Sequence, residues 1–153
     1  MRREISSGKK SRGFTLVELM IAVAVMAILT AIAYPMYQEQ VQKSRRNAVK
    51  GSMLQLSQFL ERNYTETMRY NTDADGNTIS SIGDVYNLSV SSNTSFLDDW
   101  DKVNQHYTVS ITTTISGYTI SAVPKGGQLD DMCENLTITS TGSKTTSSNY
   151  TCW

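Results

Sequence analysis

The sequence predicts an α+β fold: one long N-terminal helix, a membrane anchor continued by an amphipathic half, packs on a small antiparallel sheet of about four strands closed by a C-terminal disulfide loop. Three observations predict it. About twenty nearly uninterrupted apolar residues follow a basic tail; the hydrophobic period later changes from that of a helix to that of a strand; and the two cysteines both fall late in the chain.

From Phe14 to Ala33 the only strongly polar residue is Glu18. At about 1.5 Å per residue, a helix of that length matches the roughly 30 Å hydrocarbon core of a bilayer. Before it, Arg2, Arg3, Lys9, Lys10 and Arg12 stand against Glu4 alone. Such a positive flank holds the N-terminus in the cytoplasm and sends the remainder outward. An ionised group inside the apolar run costs on the order of 3 kcal/mol at the bilayer centre and less near its edge, so Glu18 requires a partner. A cut after Gly13 supplies one: Phe14 then carries a free amine one helical turn from Glu18, and the amine can be its own or a neighbour's. A cleavable secretory signal ending at Ala31-Ile32-Ala33 is a competing reading, but it leaves Glu18 unexplained. A plain signal anchor explains the length and charge but not Gly13, Phe14 and Glu18.

Beyond the apolar run the helical period persists on one face only. Val49, Met53, Leu56, Leu60, Tyr64 and Met68 recur at spacings of three or four, with Lys43, Arg45, Arg46, Gln58, Glu61 and Arg62 elsewhere. The helix is expected to reach about residue 70. Pro35 is expected to kink it by removing a backbone donor, and Gly51 to weaken it by roughly 1 kcal/mol relative to alanine.

Between Arg69 and Lys102 the pattern dissolves into Asn, Asp, Gly, Ser and Thr, with Asp75-Gly76 as a turn and Asp98-Asp99-Trp100-Asp101 as an acidic cluster. A long surface connection is expected there, with Val85 to Val90 as a short strand at most. The period then becomes two. Tyr107, Val109 and Ile111 alternate with Thr108, Ser110 and Thr112; Ser116-Gly117 turns the chain; Tyr118, Ile120 and Ala122 form the return strand. Leu136 to Thr139 and Lys144 to Thr146 are expected to complete the sheet around Thr141-Gly142-Ser143.

Cys133 and Cys152 are the only cysteines, and in a domain outside the cytoplasm a lone pair is most simply a disulfide. It would close a loop of about 20 residues, worth roughly 3 kcal/mol in the chain-entropy picture. His106 is the sole histidine and no further soft ligand exists, so no metal site or cofactor is expected.

The basic leader, Gly13, Phe14, Thr15-Leu16-Val17-Glu18-Leu19, the apolar helix and Tyr34-Pro35 resemble the signal and anchor of type IV prepilins. The C-terminal half, with Tyr118-Thr119-Ile120, Pro124-Lys125-Gly126-Gly127-Gln128, Cys133, Leu136-Thr137-Ile138, Thr141 to Thr145 and Cys152-Trp153, is similar to PilE-like minor pilins. The resemblance implies that a prepilin peptidase cuts between Gly13 and Phe14, that the Phe14 amine is methylated, and that Glu18 pairs with the terminal amine of an adjacent subunit. It implies residues 1–13 as a leader, 14–37 as a transmembrane and filament-core helix, and 38–153 as a periplasmic head. Within the head, the variable loop is placed at 70–103 and the sheet at 104–153. Partners would be other pilin subunits, the peptidase and the inner-membrane pilus assembly machinery, with the chain in the bacterial inner membrane before assembly and in the surface pilus afterwards.

The whole chain carries 14 basic and 14 acidic residues. Removing the leader takes five basic residues and Glu4 and leaves 9 against 13, an acidic product in which nucleic-acid binding has no support from net charge. Lys43, Arg45, Arg46 and Lys50 read as a solvated helix face, or as partners for acids such as Glu39 and Glu61 of neighbouring subunits. A DNA-binding or surface-binding role would instead require a localised basic or aromatic patch near residues 125 to 153. Asn71-x-Asp73-x-Asp75-Gly76 reproduces half of a calcium loop, but Ile82 stands where the closing acid belongs, and an acidic turn is the simpler reading. His106 with nearby Asp99 and Asp101 lacks a nucleophile elbow and reads as a surface histidine at the start of a strand. Five Asn-x-Ser/Thr sequons, at Asn63, Asn87, Asn93, Asn135 and Asn149, are assigned no role in a bacterial chain. The expected function is therefore that of a non-enzymatic, minor pilus subunit supporting assembly and hence twitching, adhesion or DNA uptake. A competence or DNA-binding pilin is the first alternative, and a type II secretion pseudopilin the second.

Overall fold

The computed structural model describes residues 14–91 and 100–153; Gly13, the leader, Asp98 and Asp99 lie outside them. The chain divides after Gln40 into two compact units. Helix α1, Leu16–Thr67, begins in the first and ends in the second, and it remains helical through Pro35 and Gly51.

In the first unit Thr15 and Glu18 form a capping box. Thr15 donates to Glu18 Oε2 from its backbone N–H (3.0 Å) and its hydroxyl (2.9 Å), while the Glu18 N–H returns a bond to Thr15 Oγ1 at 3.2 Å. Two of the donors that every helix start leaves open are thereby satisfied. Farther along, the Thr30 hydroxyl donates to the Met26 carbonyl at 2.8 Å, so it adds no unpaired polar group to the apolar stretch. The large apolar side chains from Phe14 to Tyr37 are all at least half exposed.

The second unit, Val41–Trp153, holds the core. Val49, Met53, Leu56 and Leu60 of α1 are fully buried, as the helical spacing predicts. Strands β1 (Tyr107–Thr113), β2 (Tyr118–Pro124), β3 (Leu136–Thr139) and β4 (Lys144–Thr146) form one antiparallel sheet in that order. Its register pairs Val109 with Ala122, Ile111 with Ile120, and Ile120 with Ile138, so the apolar positions of the period-two pattern share one face. That face and the α1 stripe belong to a single buried cluster.

The stripe stops short of expectation. Met68, anticipated as its last member, takes a left-handed φ of 57° after the final helical residue and is exposed. The chain reverses there because the buried Asn63 amide donates to the carbonyls of Arg69 (2.9 Å) and Thr72 (2.8 Å).

The expected surface connection is also more structured than its composition suggests. Helix α2, Ile82–Ser91, replaces the strand anticipated at Val85 to Val90, and helix α3, Trp100–His106, precedes the sheet. Ser81 is the N-cap of α2: Asp84 Oδ2 accepts from the N–H groups of Ser80 (2.9 Å) and Ser81 (2.8 Å), and the Asp84 N–H donates to Ser81 Oγ. These hydrogen bonds hold the Asp84 carboxyl below the usual range. Tyr70, Ile79, Val85 and Val103 from this segment all enter the core. Tyr70 stacks on Tyr64 with ring centroids 4.4 Å apart, and Tyr70 and Tyr118 each donate to one oxygen of Glu61 at 3.0 Å. Glu61 is thus engaged within its own chain.

Candidate functional site

At the start of α1, Phe14 is 89% exposed and the Glu18 carboxylate caps its own helix, with Thr15 on Oε2. The helix start thus carries an oriented carboxylate near an exposed phenylalanine.

The basic run of α1, expected to act as one face, is divided in the head. Arg46 turns inward to Asp131, with Nη2 2.7 Å from Oδ1 and Nε 2.9 Å from the same oxygen. Asp131 is fully enclosed and also accepts from the Tyr107 hydroxyl (2.8 Å) and the Cys133 N–H (2.9 Å). Burial alone would raise its pKa, but Arg46 and these donors outweigh it and hold the carboxyl below the usual value. The same carboxylate raises the Tyr107 phenol, after burial as the larger cause. Arg46 is therefore a core ion-pair partner and not part of a solvated patch.

Lys50, one turn on, lies over the Trp153 ring with Nζ 5.6 Å from its centroid; Lys144 of β4 lies 5.8 Å from the same ring. The indole N–H donates to the Thr145 carbonyl at 3.0 Å and fixes the ring against β4. The disulfide Cys133–Cys152 is present, with Cα atoms 5.9 Å apart, and anchors the residue that precedes Trp153. Burial, and then Arg46, lower the Lys50 pKa, while Asp131 opposes them. The result is a local arrangement of two ammonium groups around an aromatic ring, of which Lys144 and Trp153 fall within residues 125 to 153 and Lys50 comes from α1.

The remaining candidates separate. Asp73 accepts from the N–H (2.6 Å) and side-chain amide (2.8 Å) of Asn77 in a turn where Gly76 takes φ 84°, so its carboxylate serves the turn. His106 is the last residue of α3, not the first of β1, and is half-buried. Its pKa is lowered by burial and then by Arg45. Asp101 lies exposed on the same short helix, and Asp99 is outside the described residues.

The profile of the family described as type IV minor pilin ComP, DNA uptake sequence receptor, matches residues 35–137. The chain belongs to this minor pilin family. The prokaryotic N-terminal methylation motif matches residues 8–34, a span that includes Gly13, Phe14 and Glu18. As a ComP-family minor pilin the chain has the family and fold of a structural subunit. Among curated relatives it is 50% identical over 42 residues to a type IV major alpha-pilin of Moraxella bovis, covering 28% of this chain and 26% of that one. It is 52% identical over 40 residues to fimbrial protein EcpB of Eikenella corrodens, covering 26% and 25%. The chain thus spans about a quarter of the length of these relatives. A solved type IV pilin from Shewanella oneidensis superposes with TM-score 0.47 at 21% identity, covering 73% of this chain and 97% of that one.

Proposed function

We propose that this ComP-family minor pilin is held in the inner membrane by residues 14–37, with its N-terminus cytoplasmic and its head, 38–153, periplasmic. It is then lifted into a type IV pilus. A prepilin peptidase removes residues 1–13 by cutting between Gly13 and Phe14, and the new Phe14 amine is methylated. Glu18 then takes the terminal amine of a neighbouring subunit, and Pro35 softens the helix where it enters the bundle. One observation carries this reading: about twenty apolar residues of α1 are left uncovered by their own chain, and the helix is long and apolar enough to cross a membrane. Such a face is stable only in lipid or against other apolar helices. The capping box supports the role of Glu18, since Thr15 engages Oε2 and orients the carboxylate at the helix start. The test is Glu18→Ala: cleavage continues while the subunit disappears from sheared pili, and normal incorporation would refute the pairing.

A second reading is favoured by Lys50, Lys144 and Trp153 together with the description of the family. The head binds duplex DNA through this patch, the lysines meeting phosphates and the ring supporting them. Acids slightly outnumber basic residues in the head, so the contact is local, with few phosphates engaged. Retardation of a duplex by the full chain in detergent micelles tests it, and absence of retardation at low salt would remove it.

A further inference from the structure

We propose that the cleft between α1 and α3 is a binding site for a nucleoside phosphate. It encloses about 280 Å³ and is lined by Arg45 and Ala48 of α1, Lys102, Val103 and His106 of α3, and Tyr107 of β1. Ligand pockets usually measure roughly 300–1,000 Å³, so this one accepts a single nucleotide-sized group and no longer segment.

The lining has two chemical parts. Val103 and Tyr107, both buried, form an apolar floor with the Ala48 methyl, suited to a base or a sugar face. Arg45 and His106 form a cationic rim, with Lys102 beside them, and among the described residues no carboxylate lines the cleft. Arg45 differs from its neighbours Arg46 and Lys50. Arg46 is committed to Asp131 and Lys50 to Trp153, whereas among the described residues no carboxylate forms an ion pair with Arg45.

Arg45 instead raises the cost of charging His106, which burial already disfavours. An anion placed between the two relieves this repulsion, and the planar guanidinium offers a phosphate two parallel N–H bonds. The other charged groups around His106 reinforce the preference. Lys102 shares its helix, and Lys125 donates its backbone N–H to the His106 carbonyl at 2.8 Å and sets Nζ 3.4 Å from Asn104 Oδ1; Asp101 is exposed on α3 outside the lining. Protonation of His106 adds a further positive charge at the phosphate, so a bound nucleotide favours the imidazolium form. The site is separate from the Lys50–Trp153 patch and does not rest on the DNA reading.

His106 is the only histidine, so its imidazole proton signals report the cleft without assignment ambiguity. The full chain in detergent micelles is titrated with deoxyadenosine monophosphate, inorganic phosphate and adenosine. Deoxyadenosine monophosphate is expected to move the His106 signals saturably and to raise their titration midpoint; inorganic phosphate acts more weakly and adenosine leaves them unmoved. Arg45→Ala weakens the nucleotide by about tenfold or more, the loss of a charge-assisted hydrogen bond. A blunt duplex with and without a 5′-phosphorylated single-nucleotide overhang separates two sources: competition only by the phosphorylated overhang identifies a strand end as the ligand, and no competition identifies the free nucleotide. Unmoved His106 signals at millimolar nucleotide, or equal shifts in the parent and Arg45→Ala proteins, overturn the proposal. Duplex retardation that depends on Lys50 and Lys144 is read separately, so failure of one site leaves the other measurable.

Discussion

Arg46 and Asp131, 85 positions apart in sequence, form a buried bidentate ion pair that ties α1 to the segment carrying Cys133. Gln128 extends the tie, its amide donating to the Gln42 carbonyl at 3.0 Å and to the Tyr107 hydroxyl at 3.1 Å. Removing one member strands the other in the core. Arg46→Ala is expected to destabilise the protein by about 3–5 kcal/mol. The paired replacement Arg46→Met with Asp131→Asn, which removes both charges and keeps an acceptor for the Cys133 N–H, should cost less. Urea unfolding followed by near-ultraviolet circular dichroism checks both, and equal losses for the single and paired variants would deny the pair its role.

The same pair predicts an acid limb. The folded-state pKa of Asp131 lies below its ordinary 3.8, so the unfolded chain binds the proton first as pH falls. The stabilisation is complete above that ordinary value and is lost progressively as pH drops through it toward the folded-state pKa. Asp131→Asn should flatten this part of the stability-versus-pH curve, and a curve with unchanged slope below pH 4 would contradict the assignment.

Opening the disulfide should have two effects. Cys133 and Cys152 are 19 residues apart, and the Cys133→Ser, Cys152→Ser double variant is expected to lose roughly 3 kcal/mol. It also releases Trp153 from its place between Lys50 and Lys144, so DNA retardation should weaken more than with a stability-matched variant such as Leu56→Val. Equal retardation by the two would separate the disulfide from the patch.

Each lysine of the patch should carry about one phosphate contact. Lys50→Gln and Lys144→Gln are each expected to reduce the magnitude of the slope of log affinity against log salt by about 0.9, with weakening that is uniform across sequences. Lys43→Gln, an exposed change elsewhere on α1, should leave the slope alone. Equal slopes in all three variants would place the DNA contact elsewhere.

The contrast between what the residues disclose and what they conceal follows the range of the interactions. Val49, Met53, Leu56 and Leu60, and the strands Tyr107–Thr113 and Tyr118–Pro124, are legible because a single buried face imposes its period on consecutive residues. Helix α2 carried a local signal that composition obscured: Ser81 followed three residues later by Asp84 is a capping box, and polar neighbours drew attention away from it. The left-handed turn at Met68 depends on Asn63 capturing two carbonyls beyond the helix, which periodicity does not encode. The division of Arg45, Arg46 and Lys50 among a cleft, an ion pair and a tryptophan is set by residues 85 or more positions away for the latter two. Sequence alone shows four cations on a helix and cannot assign their destinations.

The most direct measurement is mass spectrometry of this chain recovered from sheared pili. An N-terminus of N-methyl-Phe14 in that fraction is the expected result, because the uncovered apolar helix is stable outside the membrane only within a filament. Absence from the pili, or a chain there that still begins at Met1, would contradict the assignment of a processed pilus subunit.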